Sequence, residues 1–229
     1  MFGRRTRLAA LGAVGLGACA VLAACSPVKV GSAAVLGDQR ITVSSLDTQV
    51  ANFNTAAAPY GSQVQLTSTE VPAAVLSWLI RFQIEDEVAA SAGISVTEAQ
   101  VQQGIASVNS QAQQAAAQNG LKSTQAVFLN AGVSPQMVPA LGMYQAQEIA
   151  FAEQANGGKL PATTAENNTV TAALTKAQCT AAKSLNIEVN PQFGRLDYSQ
   201  YTVVPAADTL SRPAGTPSPA STTGLTPAC

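Results

Sequence analysis

The chain contains no histidine at all. That absence excludes every histidine-dependent catalytic triad, the usual zinc sites and the commonest general base near neutral pH. Aromatic residues are scarce, at 5%, and Trp78 is the single tryptophan. Few aromatics beside abundant Ala and Gln favour helix and a core of modest size. Clustered Lys and Arg are missing after Arg7. Without Arg4, Arg5 and Arg7, nine basic residues stand against thirteen acidic ones, a net charge of −4. No nucleic-acid surface is expected, because one needs a concentrated basic patch. The expectation is therefore a non-enzyme with no catalytic residues, no metal and no cofactor. The 229 residues suffice for one domain with a real core, or a small domain and a tail.

What is present begins with an address. Arg4, Arg5 and Arg7 precede Leu8–Leu22, a run of small and apolar residues ending in Leu22-Ala23-Ala24-Cys25. A positive segment before an apolar run is the pattern of a secretory signal. Its end resembles the bacterial lipobox. The resemblance implies diacylglyceryl attachment to the Cys25 thiol, cleavage before Cys25 and acylation of the new amino group. Several acyl chains anchor durably where one would be marginal. The expected location is the outer face of the bacterial cytoplasmic membrane, lipid-anchored. Leu16-Gly17-Ala18-Cys19 fits the same pattern. Processing there would leave the apolar stub Ala20–Ala24, which favours Cys25. Arg4-Arg5 hints at twin-arginine export, with general secretion as the default. Once the signal is removed and Cys25 lipidated, Cys179 and Cys229 remain. An even pair in an exported chain suggests a disulfide, and the alternative is a buried free thiol at Cys179. The loop would hold about 50 residues and stabilise by roughly 4 kcal/mol in the chain-entropy model.

The remaining pattern predicts a mainly α fold, a multi-helix body with a small β-element. The organising stretch is Thr69–Ile105. A helix capped by Ser68 or Thr69, with Pro72 in its first turn, runs to about Ala92. Val71, Val75, Leu76, Leu79, Ile80, Ile84 and Val88 follow helical spacing, and Trp78 and Phe82 widen the apolar surface. Such a helix is buried on several sides. Gly93 is a left-handed stop, and Ser95 with Glu98 forms a capping box for the next helix. That helix fades into the polar Gln111–Asn119, expected to project into solvent. Before the hub lie a hairpin around Gly37-Asp38 and a helix capped by Ser44 or Ser45, with Asp47 in its first turn. After it come a short helix near Gln125–Ala131 and a longer one from Ser134-Pro135 to about Ala155, with Pro139 as a possible kink. Lys159–Glu166 reads as a linker, Asn167–Leu185 as a helix and Asn186–Asn190 as a strand. Pro191–Gly194 is a turn. Residues 1–24 thus read as signal, 25–32 as tether, 33–204 as the domain and 205–229 as a Pro/Ser/Thr-rich tail.

Three pieces together carry a resemblance. They are Ala34–Ser44, the hub helix with Gly93–Glu98 and Val101 and Ile105 after it, and Val189-Asn190-Pro191-Gln192-Phe193-Gly194-Arg195-Leu196-Asp197. The set resembles the amino-terminal chaperone region of the SurA/PrsA group, in the style of SurA-like lipoproteins of high-GC Gram-positive bacteria. The resemblance implies a unit in which the early hairpin and a late returning segment meet. Many relatives carry a parvulin isomerase domain where this chain has only Lys159–Glu166. Parvulin sites typically use histidine. The implied function is a membrane-anchored, holdase-type chaperone that binds unfolded or extended exported polypeptides without isomerase activity. The alternatives are a lipoprotein adaptor for one folded partner and a solute-binding lipoprotein. Trp78, Phe82, Phe128, Met137, Met143 and Tyr144 are candidates for an adaptable peptide-binding groove, the alternative being simple core. Glu85-Asp86-Glu87 reads as a solvated or ion-paired face, with Arg81 four residues before Glu85.

Overall fold

Both ends of the domain meet on one strand, β1 (Ser32–Leu36). The structure, a computed structural model, describes residues 30–205. The signal with Cys19 and Cys25, and the tail with Cys229, lie outside the described residues. β1 turns through Gly37, in the left-handed region at φ +57°, into β2 (Gln39–Thr42). Its other edge takes β3 (Glu188–Val189), with Ala34 opposite Val189 and Val35 opposite Glu188. The sheet is antiparallel, in the order β2-β1-β3. Asn190 extends the join, donating its backbone N–H to Ala33 O at 2.9 Å and its side-chain amide to Ser32 O at 3.0 Å. Gly37 N also donates to Leu185 O. The expected meeting of the early hairpin and the segment after Leu185 is present.

Six helices make up the body: α1 (Val43–Ala57), α2 (Val71–Ala92), α3 (Glu98–Gln118), α4 (Thr124–Asn130), α5 (Val138–Ala155) and α6 (Thr164–Ser184). The fold is mainly α with a small antiparallel β-element, as the sequence predicts. α2 is the hub and touches α1, α5, α6, β1 and β5 (Thr202–Val204). Val75, Leu76 and Ile80 are fully buried, and Val71, Ile84 and Val88 nearly so. No single stripe could satisfy so many neighbours, so apolar residues surround most of the helix. It ends at Gly93, at φ +67°, where Ile94 N reaches back to Ala89 O at 2.8 Å.

Several boundaries differ from expectation, each for a local reason. Thr42, not Ser44 or Ser45, caps α1 by accepting from Ser45 N at 3.0 Å, which leaves Asp47 past the first turn. At α2 neither Ser68 nor Thr69 caps. The Glu70 carboxylate instead folds back on Thr67, accepting from its N–H at 2.9 Å and its hydroxyl at 2.7 Å. The capping box of α3 is Thr97 with Gln100, two residues beyond the expected pair, because Ile94–Thr97 lie outside either helix and Thr97 is extended as the chain enters α3. A second box, Thr163 with Glu166, starts α6 at Thr164, inside the expected linker. Pro139 is the second residue of α5, where no backbone donor is needed and no kink results. The far end of α3 does not project freely: Ala112 and Ala116 are buried, and the helix packs on α4. The late strand is shorter than expected. A second hairpin, β4 (Arg195–Asp197) with β5, follows it where none was expected.

α3 and α5 cross at two glycines. A Cβ on Gly104 would collide with the carbonyl oxygen of Gly142, and one on Gly142 with the Ile105 side chain. Bare backbone at both positions lets the two helices approach.

Candidate functional site

Trp78 and Arg81 lie half-buried on the hub, one helical turn apart. Trp78 lies 5.7 Å from Phe82 and 6.1 Å from Tyr144 between ring centroids, and Phe82 lies 6.2 Å from Tyr144. Offset and edge-on contacts of this kind stabilise a ring cluster beyond simple burial. The indole N–H donates to Ala131 O at 2.6 Å, which ties α2 to the end of α4. The Arg81 guanidinium sits 5.0 Å over the Trp78 ring. It also donates to Gln200 O at 2.7 Å and Tyr201 O at 3.3 Å, holding the β4–β5 turn against the hub. Tyr201 is left-handed at φ +51°, an unfavourable state for a tyrosine that these bonds help to fix. Ser77 adds a further pin: its hydroxyl accepts from Val203 N at 2.8 Å.

Three cavities share this wall. The largest, about 730 Å³, runs between the first half of α2 and the late hairpin. Leu66, Trp78, Arg81, Phe193 and Val204 are among its lining. The second, about 290 Å³, is mostly apolar and is lined by Trp78, Phe128, Leu141 and Tyr144 among others. The third, about 380 Å³, lies under the β4–β5 turn and meets Arg81, Tyr144, Gln178, Tyr198 and Tyr201. Trp78 thus borders the first and second, Tyr144 the second and third, and Arg81 the first and third.

Behind the third cavity lies a polar group that the sequence reading misplaces. Glu85 is fully buried, not solvated, and Arg81 is engaged with the hairpin carbonyls rather than with Glu85. Asp86 is the exposed member of the acidic run. One Glu85 oxygen accepts from Gln178 of α6 at 3.1 Å, while Oε1 has no partner among the described residues. Burial pushes the Glu85 carboxyl up to about 7, against the Gln178 hydrogen bond that favours the anion. Burial also raises Glu148, which Tyr144 and Arg81 partly oppose. The Tyr144 hydroxyl is raised by burial and by the nearby Glu148. Arg81 is lowered by burial.

Of the six groove candidates, Trp78, Phe82 and Tyr144 form the ring cluster, and Phe128 lines the 290 Å³ cavity. Phe82 itself is buried and backs the wall. Met137 is a correction: at 3% exposure it belongs to the core. Met143 is half-buried and lines none of the three cavities. The sequence pattern does not mark Leu66, Arg81 or Phe193 as groove residues. Phe193 reads as part of a turn and Arg81 as a partner for Glu85. Nothing local reveals that the late hairpin folds back on α2. Cys179 is buried on α6 and borders the 380 Å³ cavity. Among the described residues no group of His, Cys, Asp and Glu is placed to hold a metal, and no helix is long and apolar enough to cross a membrane. Comparison with protein-family models, curated proteins and solved structures finds no match to this chain.

Proposed function

We propose that this chain is a lipid-anchored, non-catalytic holdase for unfolded or extended exported polypeptides, the peptide-binding part of a SurA-like lipoprotein without its isomerase. The observation that carries the reading is the Trp78–Arg81–Tyr144 wall shared by three adjoining cavities. Separate small cavities in a row suit successive side chains of an extended chain. Removing apolar client surface from water supplies the affinity. The meeting of hairpin and late segment on β1 is what the SurA likeness implies, and it supports that likeness. The test is suppression of aggregation of an unfolded exported protein by the chain from Ser26 onward. Absence of suppression at several-fold excess counts against the holdase. A single stoichiometric partner in a pull-down would favour the adaptor instead. A deep polar pocket would favour a solute-binding lipoprotein, but the 380 Å³ cavity is lined by more apolar than polar surface. Saturable uptake of a small solute with no effect on aggregation would point that way.

The anchor at Cys25 and a Cys179–Cys229 disulfide belong to the same proposal. Intact-mass spectrometry of membrane-extracted protein tests both. Acyl mass on a chain beginning at Cys25 is expected, with two hydrogens regained on reduction. An unacylated chain removes the anchor, and an unchanged mass on reduction removes the disulfide.

A further inference from the structure

We propose that residues 206–219 fill the 730 Å³ groove as an internal occupant, which an incoming polypeptide has to displace. The displacement rests on the peptide-binding reading. The filling of the groove does not. The first observation is where the described residues stop. Thr202, Val203, Val204 and Pro205 all line the groove, so residue 206 begins at its wall. A segment attached at the rim competes at an effective concentration on the order of millimolar. The second observation is the kind of chain the groove accepts. Trp78 and Phe193 give it aromatic surface. Its strand wall has little left for backbone pairing. The Val203 N–H already donates to Ser77, and Pro191 and Pro205 have no N–H. The Trp78 N–H is taken by Ala131 O. An added β-strand is therefore disfavoured. A polyproline II segment asks for aromatic surface and few backbone bonds, and loses little entropy on docking. Residues 206–219 hold Pro213, Pro217 and Pro219.

Reach and charge agree with this occupant. β5 runs down α2, with Tyr201 O bonded to Arg81 and Val203 N to Ser77. The residues after Pro205 therefore head for the Glu70 end of the groove. From Glu70 to Arg81 is about 16 Å at about 1.5 Å per helical residue. About five residues of polyproline II cover that span on the way back, at about 3.1 Å each. That leaves 206–211 for the turn, an ordinary loop length. Glu70 and Arg81 are the charged residues of the groove lining, one toward each end. Residues 206–219 carry one charge of each sign, Asp208 and Arg212. Arg212 comes back past Glu70, whose carboxylate is exposed. The Cys179–Cys229 disulfide proposed above asks for the same return, because Cys179 and Arg81 line the 380 Å³ cavity together.

The test uses the full-length chain in detergent, with the photoreactive p-benzoylphenylalanine in place of Gln192, an exposed residue of the groove lining. Irradiation and peptide mapping are expected to find an intrachain link into 206–219. A folded chain that links elsewhere, or not at all, overturns the proposal. So does a link between chains, read from mixed light and heavy isotopes, since the occupant is then a second copy. The second measurement is anisotropy of a fluorescein-labelled unfolded peptide rich in Leu and Phe. The triple variant Pro213→Ser/Pro217→Ser/Pro219→Ser alters only residues outside the described fold. It should lose most of the link and bind the peptide about fivefold more tightly, because the open fraction of the groove rises. Equal peptide affinity in wild type and variant overturns the proposal. If the link forms and neither chain binds the peptide, the peptide-binding reading alone fails. If both bind it equally and no link forms, this proposal alone fails.

Discussion

Gly104→Ala is expected to destabilise the protein by roughly 3 kcal/mol, although alanine is the better helix former. The midpoint of thermal unfolding should fall by about 10 °C for a domain of this size. The new methyl group would meet the Gly142 carbonyl, a backbone atom that cannot swing aside. α3 and α5 would have to separate, opening packing along both helices. Gly93→Ala is the control. It sits in open space at φ +67°, so the cost is only that of a left-handed alanine, about 1 kcal/mol. Equilibrium denaturation of the two variants checks the pair. If Gly104→Ala instead stabilises, as at an exposed helical site, the close crossing is wrong.

The second large effect is the pH dependence set by Glu85. Its carboxyl is raised in the folded protein to about 7 from an ordinary 4.5. Below about pH 4.5 both folded and unfolded chains hold the proton, and the buried acid is neutral. Between about 4.5 and 7 the unfolded chain loses the proton first, so stability falls as pH rises. Above about 7 the loss is complete and should be on the order of 3 kcal/mol. Glu148, also raised by burial, acts with the same sign. Glu70, Glu166 and Asp197 are lowered by hydrogen bonds to Thr67, Ala162 with Thr163, and Ser199 respectively. They act with the opposite sign, gaining as pH rises through the carboxylate range. All three are solvent-screened and weak. Urea denaturation at about pH 5 and about pH 8 reads the balance. Wild type should be less stable at the higher pH, and Glu85→Gln should lose most of that difference. Equal pH profiles for the two would mean that Glu85 is not a buried acid.

How far the sequence carries this picture depends on whether a signal is local. The hub helix is legible because its apolar spacing and the Gly93 stop lie within one stretch. The closure of early hairpin on late segment follows only from the family likeness, since no local pattern pairs Ala34 with Val189. Cap positions slip by a few residues where rival hydroxyls compete. Thr163 with Glu166 is a capping signature in plain view, read as a linker because its surroundings are polar. The burial of Glu85 is hidden, because a helix wrapped on several sides has no reserved polar face: Glu85 bonds Gln178 of α6, while the exposed Asp86 accepts from Gln147 of α5. The groove is half legible. Trp78, Phe128 and Tyr144 stand out as large rings in a chain poor in them. Leu66, Arg81 and Phe193 join them only because Ser77 and Arg81 hold the late hairpin on the hub. Gly104 and Gly142 each sit inside a helical pattern, which hints at close approach without naming the partner.

The aggregation assay tests the central claim most directly when it compares the wild-type chain from Ser26 with Leu66→Ser/Phe193→Ser. Both positions line the 730 Å³ groove from outside the fully buried core. Wild type should suppress aggregation of an unfolded exported protein at near-stoichiometric ratio, and the variant, folded by circular dichroism, should need several-fold more. Equal suppression by the two would move the site elsewhere, and no suppression by either would contradict the holdase itself.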